Sequence, residues 1–180
     1  ERYPAVTFEL YTATADHVKE RMDRGVTDIG LLLEPINKEK YDYINLHHPE
    51  QWVVVMPPNS PLAELDAVSP KDLRGLPLIL PNRLSVQSEL ARWFGDEFEK
   101  LNILFTSNLS SNSSIMVHHG LAYSIIVKGS ICFWDPKKIT YRPLSPDLSA
   151  PSILAWRRKQ PFGLAAEKFI DYVKENLRVE

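Results

Sequence analysis

Val6, Phe8 and Leu10 alternate with Thr7, Glu9 and Tyr11, a period of two that predicts a strand whose faces meet different surroundings. The period then lengthens. Val18 and Met22 lie on one face of a helix expected over Asp16 to Arg24, with Arg21 and Arg24 where the helix dipole favours cations. Gly25 suits the left-handed residue that ends a helix, because it has no Cβ to clash. The apolar run Ile29 to Leu33, broken only by Gly30, predicts a strand over 28–34 covered on both faces and belonging to a parallel sheet. A polar connection through Asn37 to Lys40 separates it from a second such strand, Trp52-Val53-Val54-Val55-Met56.

Pro57, Pro58 and Pro61 break the pattern, since proline removes donors and is unsuited to a strand interior. Beyond them Ser69-Pro70-Lys71-Asp72-Leu73 predicts a capped helical turn, with serine as cap and proline at the first helical position. A strand at Leu78-Ile79-Leu80 stops at Pro81-Asn82. Val86, Leu90, Trp93, Phe94 and Phe98 form a helix stripe, and Ile103-Leu104-Phe105 a further strand. The serines and asparagines of 107–114 lead into a short helix carrying Ile115, Met116 and Val117, stopped by Gly120, before strands at Ala122 to Val127 and Ile139 to Arg142. A second proline cluster, Pro143, Pro146 and Pro151, closes this β–α–β–α–β series. The tail adds a strand, Ile153 to Trp156, and a helix with Ala166, Phe169, Ile170, Val173 and Leu177 on one face.

Two proline-marked boundaries thus bracket a central α/β segment. The economical arrangement is a discontinuous domain of 1–57 plus 145–180 with a second domain, 58–144, inserted in it; two chain crossings make a hinge, with ligand expected near strand ends and helix N-termini.

At 180 residues the chain can bury a proper core, and 21 basic against 23 acidic residues leave a net charge of −2, so nothing global draws it to nucleic acid or anionic lipid. No apolar run approaches the roughly 18 residues that span a bilayer. The single cysteine, Cys132, excludes an internal disulfide framework, fits a reducing compartment, and is expected as a buried, inert thiol. The abrupt Glu1-Arg2-Tyr3-Pro4 reads as the end of a preceding helix, and the chain as a fragment.

With these landmarks in order, the chain resembles the effector-binding domain of LysR-type transcriptional regulators. The resemblance rests on Tyr3-Pro4, Gly25-Val26-Thr27-Asp28-Ile29-Gly30, Trp52 to Pro57 followed by Asn59-Ser60-Pro61-Leu62-Ala63, and Val68-Ser69-Pro70-Lys71-Asp72-Leu73. It continues through Leu76-Pro77-Leu78-Ile79, Gly120-Leu121-Ala122, and Ala165-Ala166 with Phe169-Ile170 in the final helix. The order and spacing cover nearly the whole chain, with one departure: Ala122 stands where the family often has a second glycine.

The resemblance implies an α/β fold of two Rossmann-like subdomains, type II periplasmic-binding-protein-like and joined by two crossover strands. It also implies a bacterial, cytoplasmic, non-enzymatic regulator. A small metabolite bound between the subdomains would alter a homodimer or homotetramer on DNA. DNA would be touched only through an N-terminal winged helix-turn-helix absent here, with no membrane and no cofactor. The family's first strand and most of its first helix would precede Glu1, taking part of the usual dimer surface with them.

Carried over position by position, the effector loops are Thr12, Thr14, Ala15 and Asp16; then Pro81, Asn82, Arg83 and Ser85; then Ser110 and Ser113. Helix N–H groups attract anions and hydroxyls give short directional bonds. Thr14, Asp16, Ser85 and Ser113 read equally well as helix caps, and the two roles can coincide. Arg83, if it faces the ligand rather than solvent, favours a carboxylate or phosphate. The adjacent pairs His47-His48 and His118-His119 lack companion ligands at zinc spacing, and metal binding is not expected. Trp93 and Phe94 read as core.

Two other classes use a two-lobed fold of this kind. A transport-associated solute-binding protein is one, disfavoured by Gly25 to Gly30 and by Ser69 to Leu73. An enzyme is the other, disfavoured by the lack of a Gly-x-Ser-x-Gly elbow or a phosphate-cradling glycine loop.

Overall fold

The structure is a computed structural model and describes residues 3–159, 161 and 163–177. In chain order its main elements are α1 (Ala15–Asp23), β1 (Gly30–Leu33), β2 (Tyr41–Asn45), β3 (Glu50–Met56), β4 (Pro77–Pro81), α2 (Leu84–Phe94) and β5 (Asn102–Ser107). Then come α3 (Ser110–His118), β6 (Tyr123–Val127), β7 (Thr140–Pro143), β8 (Ser149–Ala150), β9 (Ser152–Arg157) and α4 (Leu164–Asn176). The chain divides into two compact units, 1–49 with 151–180, and 50–150.

In the first unit three strands run in the order β1-β9-β2, and β9 is antiparallel to both neighbours. The expected parallel setting for β1 is therefore corrected, and so is its double covering: Leu32 is buried but Leu31 is 67% exposed. One face of the sheet meets α1, whose Val18 and Met22 pack with Leu32, Tyr41, Ile153 and Ala155. That seam explains Gly30: a Cβ there would lie 2.6 Å from the Met22 sulfur and 3.1 Å from a Val18 methyl. Gly25 has φ +68°, as its helix-ending role requires. Residues 6–11 form no strand, because alternation supplies faces but a strand also needs a neighbouring ladder, and this segment has none. It is held by side chains instead. Phe8 meets Phe169 of α4 edge-on at 5.5 Å, and the Arg21 guanidinium lies 4.1 Å from the Tyr11 ring centre. Of the expected helix end at Glu1-Arg2-Tyr3-Pro4, Glu1 and Arg2 lie outside the described residues, while Tyr3 opens a turn closed by the Val6 N–H.

The C-terminal end of α1 is pinned. Tyr41 and Lys40 donate to the Asp23 carboxylate at 2.7 and 2.5 Å, and Arg157 donates to the Asp23 carbonyl at 2.6 Å. Burial alone would raise the Asp23 carboxyl, but the hydrogen bonds from Lys40 and Tyr41 and the charges of Lys40 and Arg157 outweigh it and hold it below the usual carboxylate value. Burial, then the bond to Asp23 and its charge, push the Tyr41 phenol well up.

The second unit is built on β3. Five consecutive buried residues, Trp52 to Met56, alternate between two cores: Trp52, Val54 and Met56 join Leu78, Leu80, Leu90 and Phe94, while Val53 and Val55 join Val117, Ile126 and Ile139. A strand buried on both faces belongs inside a sheet, and β3 lies there, antiparallel to β6 and β7 in the order β5-β4-β6-β3-β7. The expected boundaries at 57/58 and 144/145 are corrected accordingly to 49/50 and 150/151, since both β3 and the strand β8 that pairs with it belong to this unit. Strand β4 is parallel to β5 and β6, which leaves the α/β character on one side of the sheet. The predicted stripe of α2 is present, but at Gly95 the α-helix gives way to a 3₁₀ turn that carries Phe98. Trp93 and Phe94 both serve the core, and the Trp93 indole N–H donates to the Pro146 carbonyl at 2.6 Å. Ser69 heads its turn as expected, with its N–H and hydroxyl both donating to the Asp72 carboxylate. Cys132 is not buried: Ile131 turns inward, and the thiol is exposed with Sγ 3.1 Å from the Gly129 carbonyl.

Candidate functional site

In the second unit, β4 and β5 run parallel with Pro81 beside Ser107 at their C-terminal ends, and each leads straight into a helix. The Asn82 N–H donates to the Ser107 carbonyl at 3.0 Å and ties the two strand-to-helix loops together. Six of the predicted residues therefore gather at one edge of this unit: Pro81, Asn82, Arg83 and Ser85 at the start of α2, Ser110 and Ser113 at the start of α3. Asn82 and Ser85 are exposed; Pro81, Arg83 and Ser110 are half-buried; Ser113 is buried. The other four, Thr12, Thr14, Ala15 and Asp16, form a separate group at the start of α1 in the first unit.

The capping reading of these residues is not what the structure shows. Thr14, Arg83 and Leu109 occupy the residue before α1, α2 and α3, and in no case does its side chain accept a backbone N–H of the first helical turn. Thr14 directs its hydroxyl to the His17 ring at 3.0 Å. The Ser113 hydroxyl donates to the Ser110 carbonyl at 3.0 Å. Asp16 is paired with Lys19 at 2.7 Å, which offsets a charge that would otherwise oppose an anion at α1. Elsewhere the fold does use such caps: the Ser60 hydroxyl accepts the Leu62 N–H at 3.2 Å. The helix α4 also starts without a cap, at Gly163. A helix start leaves its first N–H groups without intrahelical partners, so three loops here offer donors beside hydroxyls, a chemistry suited to carboxylate, phosphate or hydroxyl groups.

Gln87 escaped the sequence reading. Its side-chain amide donates to the Pro81 carbonyl at 3.0 Å and its backbone N–H to the Arg83 carbonyl at 2.9 Å, closing the loop. The only trace in the sequence is a polar residue soon after a proline-ended strand, which is common on helix surfaces. Among the described residues no three His, Cys, Asp or Glu side chains gather as a metal site would need.

Two α/β units joined by two chain crossings make up the chain, each with helix starts that carry predicted loop residues. The chain belongs to the LysR substrate binding domain family, which matches residues 1–178. It is 29% identical over 176 residues to the uncharacterized HTH-type transcriptional regulator YvbU of Bacillus subtilis (strain 168), covering 97% of this chain and 59% of that protein. It is 25% identical over 179 residues to the Hca operon transcriptional activator HcaR of Escherichia coli (strain K12), covering 98% and 60%. The chain thus spans about three-fifths of these relatives. Among solved structures, the effector binding domain of QuiR in complex with shikimate superposes with a TM-score of 0.83 at 16% identity, covering 99% of this chain and 85% of that one, a likeness of fold.

Proposed function

We propose that this chain is the sensing part of a LysR-type transcriptional regulator. It takes up a small effector at the loops that open α1, α2 and α3, and the two units act as regulatory subdomains I and II. In the whole protein, effector binding alters the geometry of a homodimer or homotetramer on DNA. DNA is contacted by a part of the protein outside these residues, as the helix-turn-helix naming of its longer relatives supports. The reading needs no catalysis and no cofactor, and places the protein in the cytoplasm with the DNA it regulates. No described helix is long and apolar enough to cross a membrane.

The observation that carries the proposal is that α1, α2 and α3 all start without a side-chain cap, with the hydroxyls of Thr14, Ser85 and Ser110 close by in sequence. The effector it favours bears a carboxylate or phosphate and hydroxyls; shikimate, held by QuiR, is a hydroxylated carboxylate. Self-association is supported by β5, an edge strand whose Ile103, Leu104 and Phe105 are all exposed, next to α3 with Ile115 exposed.

A thermal-shift screen of small carboxylates and phosphates identifies the effector, since a ligand at 100 times its Kd adds about 2.7 kcal/mol. Calorimetry on Arg83→Ala and Ser85→Ala then tests the site. Affinity is expected to fall about tenfold, the worth of one charge-assisted hydrogen bond, with the unliganded melting temperature nearly unchanged. Unaltered affinity in both variants removes the α2 loop from the site.

A further inference from the structure

The connection from β4 to α2 is short, and the carbonyl at its start takes a side chain as a partner. Pro81 is the last residue of β4, and its carbonyl lies in half-buried surroundings where a polar group needs a partner. That partner is the Gln87 side chain, reaching back one turn to donate from Nε2 at 3.0 Å. From the same residue the backbone N–H makes the first helical bond of α2, to the Arg83 carbonyl at 2.9 Å, as any non-proline residue there would, so what is particular to Gln87 is its side-chain bond. A further hold is the bond from the Asn82 N–H to Ser107, which belongs to β5. The exposed Asn82 lies within this held loop, and the exposed Ser85 follows it in the first turn of α2.

We propose that Gln87 is the positioning residue of the effector loop: its amide fixes the Pro81 carbonyl and thereby sets the geometry in which Asn82, Ser85 and the first N–H groups of α2 meet a ligand. The inference rests on the reading above that this loop meets the effector, and adds a residue that acts through the loop. The chemistry required at position 87 is a donor of this reach. Alanine supplies no donor, and an ionised glutamate sets a carboxylate against a carbonyl. A protonated glutamate restores an O–H that donates to the same oxygen.

That last property supplies the test. In the ¹⁵N-labelled chain the backbone amide resonances of Asn82, Arg83, Leu84 and Ser85 are followed from neutral pH to about pH 4, near the ordinary glutamate value, with the unsubstituted chain over the same range as reference for every other titrating group. Gln87→Ala is expected to displace these resonances at all pH values. Gln87→Glu is expected to displace them at neutral pH and to bring them back toward the reference as the carboxyl protonates. The melting temperature of either variant should fall by no more than about 4 °C, as for a loss of about 1 kcal/mol. Loop resonances of Gln87→Ala that coincide with the reference, or a Gln87→Glu displacement that does not change with pH, overturn the proposal. Because this readout needs no ligand, its failure is separate from failure of the Arg83 and Ser85 binding test.

Discussion

The Tyr41 hydroxyl donates to the Asp23 carboxylate at 2.7 Å and so fastens the last residue of α1 to the strand β2. The two residues are distant in sequence, and the same carboxylate also takes the Lys40 ammonium. The helix that begins at the first unit's candidate loop is therefore anchored at its far end.

Tyr41→Phe is expected to destabilise the chain by about 1 kcal/mol, below the usual worth of a hydrogen bond to a charge because the pair is partly open to solvent. The pH dependence has a definite sign. Asp23 is held below its ordinary 3.8, so its contribution is fully present above that value and is lost as pH falls through the depressed folded value. Denaturant unfolding of both chains at descending pH should show their difference shrinking in acid; a difference that grows would contradict the assignment.

Gly30→Ala should cost about 1–3 kcal/mol, because its Cβ would meet the fully buried Met22 sulfur at 2.6 Å. Shortening Met22 to Val opens that space, and the cost of Gly30→Ala measured in the Met22→Val background should shrink. Equal costs in the two backgrounds would place the strain elsewhere.

Gly129 offers the contrasting case. A Cβ there would lie 2.8 Å from a Glu50 carboxylate oxygen, but that is the far end of a flexible side chain, which can swing aside and give up its bond to the Gly129 N–H. Gly129→Ala is expected to cost about 1 kcal/mol or less, and Glu50→Ala about the same. The double variant should be little worse than either single one, which thermal unfolding will show.

Leu104→Lys puts a charge on the exposed apolar edge strand β5, a substitution that blocks edge pairing while touching no core. Sedimentation of the full regulator is expected to show a smaller oligomer with the effector affinity of the chain retained. An unchanged oligomer would move the pairing surface away from β5.

Much of the chain was legible because burial imposes a period. The stripes of α1, α2 and α4 and the doubly buried strand 52–56 are written in adjacent residues. What was lost depended on partners far along the chain. Tyr41 to Asn45 breaks its alternation at Ile44, and its Asp42 looks like a loop residue until Arg158 is seen beside it at 3.0 Å. Residues 6–11 alternate better and form no strand, since the ladder that would pair them is not there. The ownership of β3 turned on β6 and β7, not on its own sequence. Cys132 sits between Ile131 and Phe133, and only the turn decides that Ile131 is buried and Phe133 is 94% exposed. The candidate loops came from the family resemblance, whereas a glutamine on a helix such as Gln87 has no signature until the carbonyl it reaches is known.

The pairing of Glu50 with Ala150 has a consequence for how the gene can be cut. Everything in the second unit is encoded as one uninterrupted stretch whose two ends are hydrogen-bonded neighbours. On the other side the Leu46 N–H donates to the Ser152 carbonyl, so the two stumps left behind in the first unit also lie side by side. The stretch can thus be excised, and a short splice placed between Pro49 and Pro151, without either piece having to stretch across itself.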